Sequence, residues 1–306
     1  MANLHEPIEP PSGAAGWRAS TVRALVVIVC LARIFIPATD AQEAVNSGLH
    51  VPKLGGYFDI SVSSRYIYHG YVVEDRGPVV HPYLYGEAKF YSGTGWLSSA
   101  YVTLGVLNTL QFRHDGISAE NEMLRTWYEL QVEPGLSLVF AEALTVSANY
   151  IRFESPNGAY ISGNAAALRL ELDDERWLGA FALRPHFLWF MPVGNESNPD
   201  TEQGHHFELG VKPGGTIGKN SAYPVSVSLP AVLGVGDKHY YAGRHFGFVS
   251  AGVTVSMPLA FVPKGLGDWS LSGSALYYRL GSAPAEFTSG GERDKSVFTA
   301  TLAAEF

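Results

Sequence analysis

The sequence predicts an all-β protein, an antiparallel up-and-down transmembrane β-barrel of about 12 strands. Three observations support this prediction: apolar and polar residues alternate with a period of two, short turns alternate with long polar loops, and tryptophans recur where short turns end. The last segment, VFTATLAAEF, shows the alternation most clearly, because Phe298, Ala300 and Leu302 alternate with Thr299 and Thr301. Such a strand has one apolar face and one polar face.

The composition excludes several classes of protein. With 46% hydrophobic and 16% charged residues, the 306-residue chain is expected to fold rather than to be disordered. Its 33 glycines and 12% aromatic residues suit many short strands joined by tight turns. The net charge of -8 disfavours a nucleic-acid partner, because such binding relies on a basic surface.

Residues 1–41 are predicted to be a signal peptide and leader. Arg18 and Arg23 precede the apolar run ALVVIVCLA, and small residues lead up to Ala41, where we expect cleavage. A short buried or disordered terminal helix is the alternative. The only cysteine, Cys30, lies in this leader, so the exported chain is expected to lack disulfides and thiol chemistry.

Residues 42–54 are predicted to be a short periplasmic segment, and residues 55–306 the barrel. No stretch reaches the roughly 18 uninterrupted apolar residues that a spanning helix needs. A mature chain that crosses a bilayer must therefore do so as a closed barrel, in which every backbone polar group is paired.

The strands follow from the alternation. The first, FDISVSSRYIYH, places Phe58 and Tyr68 on the apolar face and Arg65 and His69 on the polar face. The other predicted strands are residues 80–90, 100–106, 125–132, 144–150, 166–172, 180–191, 206–211, 225–231, 249–257, 269–277 and 297–306.

The connections alternate in length. Short turns, YSGTG, EPG and DDER, follow the second, fourth and sixth strands, whereas long polar loops follow the third, seventh, ninth and eleventh. Outer-membrane barrels have short periplasmic turns and long external loops. Trp96, Trp177 and Trp269 each follow a short turn and predict a periplasmic aromatic girdle. The residues predicted for the opposite belt are Tyr66, Tyr68, Tyr150, Trp189 and Tyr277.

Charges of both signs fall on the polar face, which we therefore expect to line a lumen, with the apolar face toward lipid. Glu142 is an exception, because it is in step with Leu144 and Val146; a bulge near Ala141 or a position at the rim would explain it. The predicted lumen-lining residues are Arg65, Glu87, Lys89, Arg125, Glu129, Arg169, Glu171, Arg184 and Glu208.

The stretch SSRYIYHGYVVEDRGPVVHP resembles the first hairpin of the Gcw_chp-type conserved hypothetical barrels, an uncharacterised family of bacterial outer-membrane proteins. His69 stands where that family commonly has arginine. The last strand is similar to the signal that the barrel assembly machinery reads, which implies that Phe306 is an assembly signal. The positions that match the hairpin pattern are Ser64, Tyr66, Tyr68, Gly70, Asp75, Pro78 and Val80.

Catalytic and metal chemistry find little support in the sequence. Outer-membrane lipases and lipid A deacylases use serine and histidine on barrel strands, but no spacing joins His186, His205 or His206 to a particular serine. We therefore expect no enzyme and no catalytic residue. The pair His205 and His206, with Glu208 and the loop residues His239 and His245, suggests zinc or copper. Adjacent residues point to opposite faces of a strand, so we expect no metal site and no cofactor.

The predicted protein is thus a monomeric barrel of the bacterial outer membrane, either a porin-like channel for small solutes or an uncharacterised surface protein. A membrane-embedded hydrolase acting on lipid and a barrel with a purely structural, plugged lumen are the alternatives. The expected partners are outer-membrane lipid, the barrel assembly machinery and a small polar solute.

Overall fold

The computed structural model of the chain describes residues 53–112, 125–194, 204–221 and 223–306. The predicted leader, residues 1–41, lies outside the described residues. So does the predicted periplasmic segment, residues 42–54, except for Lys53 and Leu54, which begin the first strand. Among the described residues, no helix is both long and apolar enough to cross a bilayer.

The described residues form sixteen strands and two short α-helices. The strands are β1 (Lys53–Ser63), β2 (Tyr66–Tyr68), β3 (Tyr71–Glu74), β4 (Val79–Ser92), β5 (Leu97–Gln111), β6 (Trp127–Phe140), β7 (Leu144–Glu154), β8 (Gly163–Leu172), β9 (His186–Val193), β10 (His206–Val211), β11 (Gly214–Ile217), β12 (Val225–Ser228), β13 (Ala231–Gly236), β14 (Phe246–Pro258), β15 (Asp268–Leu280) and β16 (Asp294–Glu305). The helices are α1 (Glu175–Leu178) and α2 (Ser282–Thr288).

Fourteen of these strands make one antiparallel sheet that closes on itself as a barrel of 12 strands, which confirms the predicted fold class. The count falls to 12 because two wall strands are each interrupted once. Pro213 separates β10 from β11, and Pro230 separates β12 from β13. Proline has no N–H to donate to a ladder, so each strand breaks there and then resumes in the same register with its partner.

The seam of the barrel lies between β1 and β16. Phe58 pairs with Ala304 and Ser63 with Thr299. At the rim, the N–H of Gly56 donates to the carbonyl of Phe306 and the N–H of Phe306 donates back, both at 3.0 Å. The last strand of the barrel therefore pairs with the first along residues 57–63.

The barrel is apolar outside and polar inside. On the outer face, Val102 is 56% exposed, Leu209 55% and Phe298 59%, although all three are large and apolar. Residues an odd number of positions away on the same strands point inward and are polar: Thr103 is 5% exposed and His206 is fully buried. A water-soluble barrel has the opposite arrangement, so the apolar band is the surface that meets lipid.

One predicted turn is wrong. The stretch EPG, Glu133 to Gly135, does not connect two strands but lies in the middle of β6. The missing N–H of Pro134 is tolerated because the bridges between β6 and β7 skip positions 133 and 134. The chain reverses later, at Ala141 and Glu142, which both have positive φ. Glu142 therefore lies at the rim, which is the second of the two explanations offered for its position, the first being a bulge near Ala141.

The link between β8 and β9 is longer than the predicted turn DDER. It runs from residue 173 to residue 185 and contains α1 and a 3-10 helix, Gly179–Phe181. Trp177 lies in α1 rather than at the start of a strand. Arg184, predicted to line the lumen from a strand, lies in this link and donates to Glu175 at 2.6 Å. The predicted strand 180–191 therefore began too early.

The first strand is also shorter than predicted. The strand β1 ends at Ser63, and residues 66–74 form a separate hairpin, β2 and β3, that pairs only with itself among the described residues. Tyr66 and Tyr68, predicted for a lipid-facing aromatic belt, are therefore not in the barrel wall. We call residues 66–74 the internal hairpin.

Candidate functional site

The internal hairpin has a tight two-residue turn at His69 and Gly70. Both residues have positive φ, 48° and 88°, which is the geometry of a type I′ turn. Glycine is required at the second position for a further reason, because a Cβ there would lie 3.0 Å from the ring of Phe248 and 3.1 Å from the carbonyl oxygen of Gly247. The tip of the hairpin thus packs directly against strand β14 of the wall.

Hydrogen bonds join the hairpin to distant parts of the barrel. The hydroxyl of Tyr66 donates to Glu129 of β6 at 3.2 Å. Nδ1 of His69 lies 2.9 Å from Oε1 of Glu208 on β10. The hydroxyl of Tyr71 donates to the carbonyl of residue 240, in the loop after β13, at 2.6 Å. Because β6, β10 and β13 are separate strands around the wall, the hairpin crosses the lumen.

An apolar contact holds the other side of the hairpin. Val72 belongs to a buried cluster with Phe248, Leu280 and Ala285, and Ile67 packs against it. Ala285 belongs to α2, which lies in the loop between β15 and β16. The N–H of Val72 also donates to Thr288 of that helix at 2.9 Å. The hairpin is therefore held between the wall and a folded outer loop.

The tip of the hairpin meets a cluster of ionisable side chains, His69, His206 and Glu208, which we call the His–Glu cluster. Nδ1 of His69 and Nε2 of His206 both lie 2.9 Å from the same oxygen, Oε1 of Glu208. The side chain of His206 is fully buried, and that of His69 is 9% exposed. Residues far apart in sequence thus share one carboxylate oxygen inside the barrel.

Tyr241 completes this arrangement. Its hydroxyl lies 2.8 Å from the carbonyl oxygen of His69 and 2.9 Å from Nδ1 of His206. A carbonyl only accepts, so the single hydroxyl proton of Tyr241 goes to His69, and Nδ1 of His206 must carry the proton that it donates to the hydroxyl oxygen. The other nitrogen of a neutral His206, Nε2, then presents a lone pair toward Glu208.

The loop that carries Tyr241 is folded around Asp237. The carboxylate of Asp237 accepts the backbone N–H groups of His205, His239 and Tyr240 at 2.8, 3.0 and 2.9 Å. Burial alone would raise the pKa of Asp237, but these N–H donors outweigh it and hold the pKa below its usual value. This capped turn fixes the position of Tyr241 over the His–Glu cluster.

Glu129 is a second acceptor inside the barrel. Its carboxylate accepts hydrogen bonds from Tyr66, from Tyr160 at 3.0 Å and from Gln131 at 2.6 Å. The residue is 7% exposed. A buried carboxyl group needs such hydrogen bonds to offset its lost hydration, and one of them comes from the hairpin. Glu129 therefore couples the barrel wall to the hairpin.

A polar cavity of about 640 Å³ opens at the outer rim between the hairpin, the outer end of β5 and the α2 loop. Glu74, Asp75, Arg76 and Lys295 lie along it. Gln111, which is 5% exposed, also lines it, and its side-chain nitrogen has no hydrogen-bond partner within the described part of the chain. We call this cavity the vestibule.

The end of the hairpin is held by an ion pair, which predicts a pH dependence. Nζ of Lys295 lies 2.7 Å from Asp75 and 2.6 Å from Glu292. The hydrogen bond from Lys295, with the charges of Arg65 and Arg76, holds the pKa of Asp75 below its usual value of 3.8. The stabilisation by Asp75 is therefore complete above pH 3.8 and is lost as the pH falls through the lowered pKa.

We expect Asp75→Asn to lower the free energy of unfolding by about 0.5–1 kcal/mol at neutral pH, and the difference from the unmodified chain to vanish in acid. Urea unfolding of the refolded protein at several pH values measures this. Asp268→Asn is the matched control, because its partner Lys264 is 3.9 Å away and both side chains are exposed. A difference for Asp75→Asn that persists unchanged at pH 2 would contradict the prediction.

The predicted lumen-lining residues have varied surroundings. Glu129 and Glu208 contact the hairpin, as described above. Glu87 accepts a hydrogen bond from a tyrosine of its own strand at 3.3 Å, and the ammonium of Lys89 lies 5.0 Å from the ring centre of Tyr101. A role for these residues in selectivity stays a prediction.

The remaining predicted residues have hydrogen-bond or ion-pair partners outside the hairpin tip. Arg169 lies 3.8 Å from Glu171 on β8, and both are about half exposed. The guanidinium of Arg65 donates to the backbone of Ser296 beside the seam. The backbone carbonyl of Arg125 accepts from an asparagine in the loop after β7 at 3.1 Å. Only part of the predicted set therefore meets in one place.

Sequence reasoning missed His69 and Tyr241 as site residues. A signal for His69 was present, because His69 and Gly70 stand between aromatic and β-branched residues in YIYHGYVV, and a residue tolerant of positive φ followed by glycine marks a two-residue hairpin turn. Nothing local marked Tyr241. His205 and His206 do point to opposite faces: His206 meets Glu208, whereas His205 accepts a hydrogen bond from Trp189 at 3.1 Å.

No protein-family model matches this chain, and no curated protein matches it. Solved structures do. The β domain of the Bordetella autotransporter BrkA is 15% identical, with a TM-score of 0.47 over 82% of this chain and 98% of that chain. The NanC porin is 10% identical, with a TM-score of 0.43 over 81% and 100%. LpxR from Salmonella typhimurium is 10% identical, with a TM-score of 0.41 over 82% and 100%. These likenesses assign no activity to the chain.

The prediction that the chain is not an enzyme is wrong as an exclusion. Catalytic side chains need no spacing within one segment, because side chains from distant strands meet inside a barrel, as His69 and His206 do. Spacing therefore could not exclude catalysis here.

The closed barrel and its apolar outer band place the protein in the bacterial outer membrane. Only helices and closed barrels pair all their backbone groups in a lipid environment. In barrels of that membrane the long loops lie at one rim, and the first strand begins and the last strand ends at the other rim.

Proposed function

We propose that the protein is a gated channel for small polar solutes in which the internal hairpin is the gate. The observation that carries this proposal is the position of the hairpin, which crosses the lumen between β6, β10 and the wall at β14. A barrel of 12 strands encloses a narrow lumen, so one hairpin is enough to obstruct it.

The way the hairpin is attached supports a gate rather than a permanent plug. The strands β2 and β3 share no ladder with the wall in the described part of the chain. Side-chain hydrogen bonds and one apolar cluster hold the hairpin in place. Displacing it would leave the 12-stranded wall intact, and local opening of this kind costs less than unfolding.

The proposed solute is small and polar because of the groups that it would meet. The vestibule combines the carboxylates of Glu74 and Asp75 with the cationic groups of Arg76 and Lys295. Gln111 adds a buried amide donor. Charges of both signs with a neutral donor suit a zwitterionic or neutral polar solute better than a strongly charged one.

Planar-bilayer recording of the refolded protein tests this proposal. We expect a closed state interrupted by brief openings, because the hairpin must leave its contacts before ions pass. Swelling of proteoliposomes in isotonic solutions of small polar solutes is the companion measurement. Complete silence, both in the unmodified chain and after the hairpin is removed, would reject the channel and favour a structural, plugged barrel.

The membrane-embedded lipid hydrolase, which the sequence left as an alternative, would give a different result in the same preparation. It would release fatty acid from outer-membrane lipid and would not depend on the hairpin leaving the lumen. Kinship with the Gcw_chp-type barrels also stays a proposal, supported by the residues around His69 and Gly70 that form the turn of the internal hairpin.

A further inference from the structure

We infer that the His–Glu cluster binds a divalent transition-metal ion, with Zn²⁺ as the best-suited ion, and that this ion fastens the hairpin tip to the barrel wall. The three ligand atoms, Nδ1 of His69, Nε2 of His206 and Oε1 of Glu208, all lie within 4.8 Å of one another. Two imidazole nitrogens and one carboxylate oxygen are a ligand set that zinc takes in proteins.

The hydrogen bonds of Tyr241 prepare His206 for this role. Because Nδ1 of His206 donates to Tyr241, the proton of the neutral ring lies on Nδ1 and the lone pair of Nε2 is directed at Glu208. Metal-bound histidines are oriented in the same way, by a hydrogen bond from the nitrogen that does not bind the metal. The tyrosine thus selects the tautomer that a metal ion needs.

The short contacts in the His–Glu cluster require a cation. A lone pair on Nε2 of His206 and an ionised carboxylate oxygen repel each other at 2.9 Å unless a proton or a metal ion lies between them. His69 approaches the same oxygen at 2.9 Å. Zinc bonds of about 2.0–2.1 Å in a tetrahedral site put neighbouring ligand atoms about 3.4 Å apart, so each of the two nitrogen–oxygen separations would have to widen by about half an ångström. The two nitrogen atoms lie within 4.8 Å of each other.

The surroundings of the cluster favour tight binding. The ring of Tyr240 lies 5.1 Å from that of His206, and the ring of Phe190 lies 4.7 Å from that of His69. This aromatic shell limits access of water to the charged groups, which strengthens their attraction to a cation. Since His69 is in the hairpin and the other two ligands are in β10, a bound ion would join the gate to the wall.

The effect on gating rests on the proposed function, but metal binding itself does not. The test is titration of Zn²⁺ into the refolded, chelator-treated chain by calorimetry, with Co²⁺ absorption as a second readout of the ligand geometry. We expect one ion per chain. The variants His206→Gln and Glu208→Gln should weaken binding by about 100-fold or more, because each removes one of three ligands.

His205→Gln is the matched control, since His205 is the neighbouring histidine on the outer face and contacts Trp189. It should bind Zn²⁺ like the unmodified chain, and the gel shift between unheated and heated samples verifies that every variant is folded. Absence of Zn²⁺ binding to the unmodified chain, which would mean that a proton alone occupies the cluster, overturns the inference. A loss of Zn²⁺ affinity in His205→Gln equal to that in His206→Gln also overturns the inference.

The metal site and the gate can fail separately. Zinc binding without any conductance, even after removal of the hairpin, would support the metal site and reject the channel. If the chain binds no zinc but shows channel openings that depend on the hairpin, the channel is supported and the metal site is rejected.

Discussion

Removal of the internal hairpin is expected to convert a mostly closed barrel into an open pore. Replacing residues 66–74 by a short glycine–serine linker takes away both strands of the hairpin and the turn at His69 and Gly70. We expect the mean conductance in planar bilayers to rise by about tenfold or more, because the obstruction is lost while the 12-stranded wall keeps all its ladders. The wall keeps its ladders because the hairpin shares no backbone pairing with it.

The control for this experiment is a replacement of similar size at the opposite rim. Residues 259–266, in the link between β14 and β15, lie between wall strands and include the 3-10 helix Lys264–Leu266. Their replacement should leave the conductance near that of the unmodified chain. Equal conductance in the hairpin variant and the unmodified chain would show that the hairpin does not obstruct the path.

Substitution of Glu129 by alanine is expected to have the largest effect of any single change on the stability of the site. The carboxylate accepts hydrogen bonds from Tyr66, Tyr160 and Gln131, so its removal leaves three donors without their acceptor inside the barrel. Unpaired buried donors and the cavity together should cost about 2–4 kcal/mol. Urea unfolding followed by tryptophan fluorescence measures the loss, and the hairpin should also become more accessible to protease.

Two further variants make this result specific. Glu129→Gln keeps one acceptor oxygen and the volume of the side chain, so it should recover more than half of the loss. Glu171→Ala removes a carboxylate that is about half exposed and 3.8 Å from Arg169, so it should change stability by less than about 1 kcal/mol. Similar losses for Glu129→Ala and Glu171→Ala would contradict the assigned role of Glu129.

The wall of the barrel was predictable because its signal is local. In β16 the residues Phe298 and Leu302 face outward and Thr299 and Thr301 face inward, as their alternation predicted. Closure of an up-and-down barrel joins its first and last strands, and Phe58 is paired with Ala304 accordingly. A period of two is a property of the strand itself, and it survives whatever the neighbouring strands do.

The errors arose where the same local signal suits two structures. Pro134 and Gly135 are turn residues in most sequences, yet β6 passes through them because the ladder has unbonded positions there. Tyr66 and Tyr68 alternate with Ile67 as wall residues would, but they belong to a hairpin inside the lumen. Alternation indicates an extended strand with two different faces. It does not indicate whether a face meets lipid, the lumen or another part of the protein.

Periodicity and the cost of unpaired backbone in a bilayer were enough to predict an outer-membrane barrel, most of its strands and the face of each strand that meets lipid. What fills the lumen was settled by the tertiary structure alone. His69, His206 and Glu208 come together across 139 positions of sequence. Tyr241 sets the tautomer of His206 through a hydrogen bond that no sequence spacing predicts. Closure of the barrel brings such residues together, and closure is a property of the whole chain.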